Sequence, residues 1–159
     1  MQLCKIYAIV CLVNFFALSL SATETLQVSA KKIKSDLKNG ETTLSGDVFI
    51  TKGEDKLWAD SVIIETNKKN QPLKYTAIGS VRFYVKMPNK EISGRAKKAT
   101  YDVQKDEYKL LDNAVIEEKG KTNIIRGNMI VLNPATEEAS IQGTKQKPSV
   151  VTFSLDNEK

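Results

Sequence analysis

The sequence predicts an elongated all-β domain of about eleven to twelve short antiparallel strands, stacked from a repeated two-strand unit. Three observations predict it. An echo recurs along the chain: Leu44-Ser45-Gly46, Ala77-Ile78-Gly79, Leu110-Leu111-Asp112 and Ile141-Gln142-Gly143 begin 33, 33 and 31 residues apart. In the first three copies a strand-like alternation follows at once, carried by Val48/Ile50, Val81/Phe83/Val85 and Ala114/Ile116. A second echo lies between them, a small residue followed by apolar ones: Ala30 and Ile33; Ala59, Val62 and Ile64; Ala96, Ala99 and Tyr101; Gly127, Ile130 and Leu132. Two strand signatures interleaved at one period describe a repeat that buries its apolar face only against its neighbours.

Residues 1–22 stand apart from that repeat. Lys5 supplies a short positive region, Ile6 to Leu20 is interrupted only by Asn14 and Ser19, and small residues follow at Ser19, Ser21 and Ala22. This is the pattern of a cleavable secretory signal peptide, too short for a typical membrane span of roughly 20 residues. A retained anchor is the alternative, because Leu20 suits cleavage after Ala22 poorly. Cleavage after Ser21 places Ser19 where a small residue is wanted. Both cysteines, Cys4 and Cys11, lie in this leader, and Cys11 follows Val10 rather than the small residue a lipidation site would need.

The domain then runs over residues 23–155, with 156–159 a frayed tail. A first strand falls near Leu26–Ala30. The segment 31–37 is the only place where a short helical turn could fit. Asp47 to Thr51, Val81 to Lys86 and Ala99 to Val103 alternate cleanly and are rich in β-branched and aromatic residues. Turn signals separate the strands at residues 38–40, 52–55, 68–72, 87–89, 104–106, 118–121 and 133–135. Residues 144–148 read as a linker to a last strand at Val150–Phe153. Within the second echo the small residue and the next apolar one are three apart. A regular strand would send them to opposite faces. A β-bulge at each such place would return both to the core and bend the sheet into a two-layered roll.

Composition excludes much chemistry. There is no histidine, and once the leader is removed there is no cysteine. Ser-His-Asp and Cys-His catalysis, histidine and thiolate metal sites and a disulfide framework are therefore excluded, and no metal or cofactor is expected. No phosphate-binding glycine loop is present. The acidic pairs Glu54/Asp55, Asp106/Glu107, Glu117/Glu118 and Glu137/Glu138 read as solvated turn charges, so no enzyme is expected. The net charge of +5 is spread along the strands and loses Lys5 with the leader. With no basic stripe interleaved with aromatics, nucleic acid is not an expected partner. Trp58 is left open between an outward aromatic contact and an interface residue.

The repeated pattern resembles the OstA-like/LptA family of lipopolysaccharide transport. The resemblance is carried by Leu44–Ile50 with Leu57–Ile64, by Ala77–Phe83 with Ile92–Tyr101, and by Leu110–Ile116 with Ile124–Leu132, and covers about residues 26–143. The third copy departs from it, with Asp112 where the first two have glycine. The resemblance implies a twisted, V-shaped β-jellyroll with open ends. It implies a periplasmic protein that bridges inner and outer membranes and passes lipopolysaccharide along an apolar groove. The partners implied are the lipid A moiety, the inner- and outer-membrane members of the system joined by edge-strand addition, and further copies head to tail. A membrane-anchored, LptC-like subunit of the same system and a non-lipid-binding structural or adhesive β-solenoid remain alternatives. The inward positions Val48, Ile50, Val62, Ile64, Val81, Phe83, Val85, Tyr101, Ile116, Ile130 and Leu132 are the candidate lipid-binding groove. Edge strands at Leu26–Ala30 and Val150–Phe153 are the candidate joining surfaces.

Overall fold

Every regular element is a strand in the computed structural model, which describes residues 26–133, 136 and 138–153. They are β1 (Leu26–Ser29), β2 (Lys32–Asp36), β3 (Glu41–Lys52), β4 (Asp55–Thr66), β5 (Pro72–Met87), β6 (Lys90–Asp102), β7 (Glu107–Glu118), β8 (Ile124–Asn133), β9 (Glu138–Gln142) and β10 (Val150–Thr152). Ten strands stand among the described residues where the sequence suggests eleven or twelve, because the long strands run unbroken through their bends. The leader and the residues beyond 153 lie outside the described part.

The strands form one antiparallel sheet in the order β1-β3-β4-β5-β6-β7-β8-β10, with β2 also on β3 and β9 also on β8. Consecutive long strands are neighbours, as a meander built from a repeat requires. Each outer long strand carries two short ones. β1 covers Phe49–Lys52 and β2 covers Glu41–Ser45. At the far end β9 covers Met129–Asn133 and β10 covers Ile124–Arg126. The two edges do not meet.

Within segment 31–37 the chain forms strand β2, Lys32–Asp36, not a helical turn. The free edge of β3 offers unpaired backbone groups there, and pairing Ile33 with Leu44 satisfies them. The bulges also differ from expectation. They lie in the first echo, on β3, β5 and β7, where two residues in a row take positive φ: Gly46-Asp47, Gly79-Ser80 and Asp112-Asn113. The register shifts by one residue against the neighbouring strands at each of these pairs. The second-echo strands change face opposite the bulges without an extra residue. On β4, Leu57 and Ala59 are buried on one side of the switch and Val62 and Ile64 on the other. Ser61 at the switch donates its hydroxyl to the Leu44 carbonyl at 2.9 Å. The odd spacing thus does mark a corner. What the sequence does not tell is which partner carries the additional residue.

The corners fold the sheet into two layers. Leu44, Val62 and Ala77 from one side of the bend share a core cluster with Ile50, Leu57 and Val81 from the other. Small residues sit inside the bend, as expected: Ala59 and Ala96 are buried, and a Cβ on Gly127 would meet Ile141 Cγ2 at 2.8 Å. The first layer ends in turns closed by one device. Asp36, Asn67, Asp102 and Asn133 each accept hydrogen bonds from backbone N–H groups two to four residues on.

Candidate functional site

The register aligns inward side chains into rows that cross the whole sheet. In the first layer Ile33, Leu44, Val62, Ala77, Ala99, Leu110, Ile130 and Ile141 are successive cross-strand neighbours. In the second layer the row is Val28, Ile50, Leu57, Phe83, Gly94, Ile116, Ile125 and Val151. Both are apolar from one open edge to the other. Gly94 interrupts the second only in name, since a Cβ there would collide with the Phe83 ring, which occupies that space.

All eleven candidate groove residues lie on the inward side of these layers, and they fall into two groups. Val48, Ile50, Val62, Ile64, Val81, Tyr101 and Ile130 are buried and fill the core between the layers. Phe83, Val85, Ile116 and Leu132 are only half-buried. Burial also changes along the sheet. The β3–β5 part is closed, with Leu44, Val62 and Val81 at 0%, 2% and 1% exposure. Toward β8 the core is small: Ala96, Leu110, Ala114 and Ile130 are buried, while Ile116, Ile125, Leu132 and Ile141 are partly open around them. At the edges the rows end on exposed apolar side chains, Ile33 at 58% on β2 and Val151 at 40% on β10.

A feature that sequence reasoning missed is an aromatic ladder in the first layer. Tyr75, Tyr101 and Tyr108 are cross-strand neighbours on β5, β6 and β7. Their rings stack with centroids 6.3 and 4.2 Å apart. Each lies two residues from an echo position (Ala77, Ala99, Leu110), which is the signal that could have found it. The Tyr101 hydroxyl donates to Asp106 Oδ1 at 2.9 Å. Burial, and then this hydrogen bond, push the Tyr101 phenol well above its ordinary range. Burial raises Tyr108 as well. Neutral phenols suit an apolar lining.

Trp58 faces outward, stacked on Phe49 at 5.3 Å. A recess of about 420 Å³ at the turn end of the first layer is lined by polar groups including Glu41, Glu65, Lys74 and Asp102, away from the apolar rows. The site with a continuous chemical character is therefore the interlayer one. Its lining is aliphatic and aromatic throughout.

Comparison with known proteins gives three findings. Residues 27–138 match the family model described as LptA/(LptD N-terminal domain) LPS transport protein. No curated protein matches the chain. The fold is similar to the crystal structure of LptH, described as the LptA-homologous periplasmic component of the conserved lipopolysaccharide transport device from Pseudomonas aeruginosa. That likeness has a TM-score of 0.69 at 22% identity and covers 83% of this chain and 96% of the other.

Proposed function

Because the chain belongs to the LptA/(LptD N-terminal domain) family of LPS transport proteins, we propose that it carries lipopolysaccharide across the periplasm towards the outer membrane. The acyl chains of lipid A travel between the two layers. The observation that carries this reading is the pair of apolar rows that run without interruption to both open edges. An acyl chain in water costs about 0.8 kcal/mol per exposed CH₂, so a carrier needs lining along its full length. The half-buried Ile116 and Leu132, toward β8, are where a chain first lands, and Phe83 and Val85 are reached after them. The buried positions line the path when the layers part. The protein acts by binding and hand-over rather than by catalysis, and its partners supply the energy.

Both edges present one short strand per layer, β1 and β2 at one end and β9 and β10 at the other. Edge-strand addition of a second copy head to tail would set Ile141 beside the next Ile33 and Val151 beside the next Val28, continuing both rows. The same edges would receive the inner- and outer-membrane members of the system. In this reading residues 1–22 are a cleavable leader that directs export, and the domain works in the periplasm.

In-cell photo-crosslinking tests the groove. A probe at Ile116 or Leu132 is expected to give a lipopolysaccharide adduct. A probe at Lys109, on the outer face of the same sheet, is expected to give none. Equal adducts at all three positions in folded, exported protein would refute the interlayer path.

A further inference from the structure

The chain contains three arginines, Arg82, Arg95 and Arg126, and they fall in one row. Cross-strand pairing runs Phe49, Trp58, Arg82, Arg95, Val115, Arg126 over the outer face of the second layer. Arg82 and Arg95 are directly opposite each other, about 5 Å apart at Cα, and Arg126 lies two strands on, about 10 Å away. Like charges in that arrangement destabilise a sheet. Lysines such as Lys31, Lys86 and Lys119 make ion pairs with carboxylates, yet among the described residues none of the three guanidinium groups has a carboxylate within 4 Å.

The surroundings are built rather than merely exposed. Arg82 sits over the Trp58 ring at 5.5 Å, and Phe49 backs that ring on its other side. This fixes the guanidinium against the sheet. Val115 is only 7% exposed but belongs to neither core cluster. Its cover is on the outer face, where the long stems of Arg95 and Arg126 flank it. Between these residues lies a recess of about 320 Å³, lined also by Phe83, Tyr84, Ser93, Gly94 and Glu117.

We propose that this recess is a second, outer-face binding site for an anionic saccharide. The Arg82–Arg95 pair takes a phosphate or carboxylate group in bidentate fashion. The sugar hydroxyls meet Ser93 and the Glu117 carboxylate, and the C–H face of the ring rests on the arginine stems that cover Val115. An acidic peptide fits less well. It would bind as an added strand, and the recess lies mid-sheet, where the backbone groups are already paired on both sides. The site does not rest on the transport reading.

Trp58 is the only tryptophan, so its emission reports directly on Arg82. The folded protein would be titrated with glucose 6-phosphate, inorganic phosphate, glucose and an oligoglutamate peptide. Glucose 6-phosphate is expected to give a saturable change at concentrations at least about tenfold below those needed for phosphate or glucose alone. Arg95→Gln, which leaves Trp58 and Arg82 in place, is expected to weaken it by about 10-fold or more, the loss of one charge-assisted hydrogen bond. Arg95→Lys, keeping charge without the fork, should fall between. Circular dichroism establishes that each variant is folded. No saturation, equal affinity for inorganic phosphate, tighter binding of the peptide, or unchanged affinity in both variants would overturn the assignment.

Discussion

Gly79→Ala is the sharpest test of how the sheet turns its corner. Gly79 has φ +77° and stands first in the bulge pair of β5. An L-residue there carries a left-handed penalty of about 1–2 kcal/mol. The new Cβ would also run into the Asp60 carboxylate on the neighbouring strand, which has to swing away. The exposed carboxylate can swing into solvent, but Asp60 Cβ, at 2.9 Å, moves only with its backbone, so a steric cost adds to the conformational one. The expected loss is about 2 kcal/mol, or roughly 8 °C in midpoint for a domain of this size. The mirror substitution is Asp112→Gly, at the equivalent place in the third copy with φ +63°. It relieves a strained residue and is expected to be neutral or stabilising by up to about 1 kcal/mol. Urea unfolding followed by far-UV circular dichroism measures both. If Gly79→Ala costs nothing while Asp112→Gly destabilises, the left-handed pair is not what bends the strands.

Two further perturbations address the lining and the edges. The Tyr101 phenol is raised by burial and by its bond to Asp106, so the folded state holds that proton more tightly than the unfolded chain, whose tyrosines titrate near pH 10. Its contribution is complete below about pH 10 and is lost as pH rises from there toward the folded value. Absorbance at 295 nm should therefore show a late phenolate that appears with loss of the β signal and is missing in Tyr101→Phe; ionisation of Tyr101 near pH 10 in folded protein would contradict this. At the edge, Val151→Asp is expected to weaken head-to-tail association at least tenfold in sedimentation while leaving the monomer within about 0.5 kcal/mol in stability, because Val151 is already 40% exposed. Unchanged association would remove β10 from the interface.

Much of this arrangement is legible in the sequence because strand parity is local. Val48/Ile50 and Val81/Phe83 declare their inward face without reference to any neighbour, and the turns announce themselves in Gly, Asn, Asp and Pro. What depends on two strands at once is not legible. The odd spacing from Ala59 to Val62 tells that a corner exists, but the surplus residue belongs to Gly46-Asp47 across the ladder. Tyr75, Tyr101 and Tyr108 are 26 and 7 residues apart and meet only through register. The arginine row is only half hidden: Arg95 and Arg126 each stand directly before a second-echo residue, Ala96 and Gly127, but Arg82 joins them only through register. Segment 31–37 reads weakly because β2 is wholly exposed; its strand character comes from the open edge of β3, not from its own pattern. Parity also cannot separate groove from core. Val81 and Phe83 read alike, and only the packing of the opposite layer leaves one buried and the other half-open.

That difference in packing gives the interior a direction. The part around β3, β4 and β5 is filled by interlocking side chains, and a close-packed interior has no room for an acyl chain until its layers separate. Around β7 and β8 the same rows leave Ile116, Ile125 and Leu132 partly open. Covering them with lipid is favourable at about 25 cal/mol per Å² of apolar surface, with little native packing to give up. Lipid should therefore enter at the β8 side, and movement toward β3 should need local parting of the layers. Amide exchange with and without lipopolysaccharide distinguishes the two ends. Added protection is expected first across β7 and β8. The amides of β3 and β4 should stay unchanged or exchange faster. Protection that rises first at β3 and β4 would place the entrance at the opposite edge and reverse the assignment.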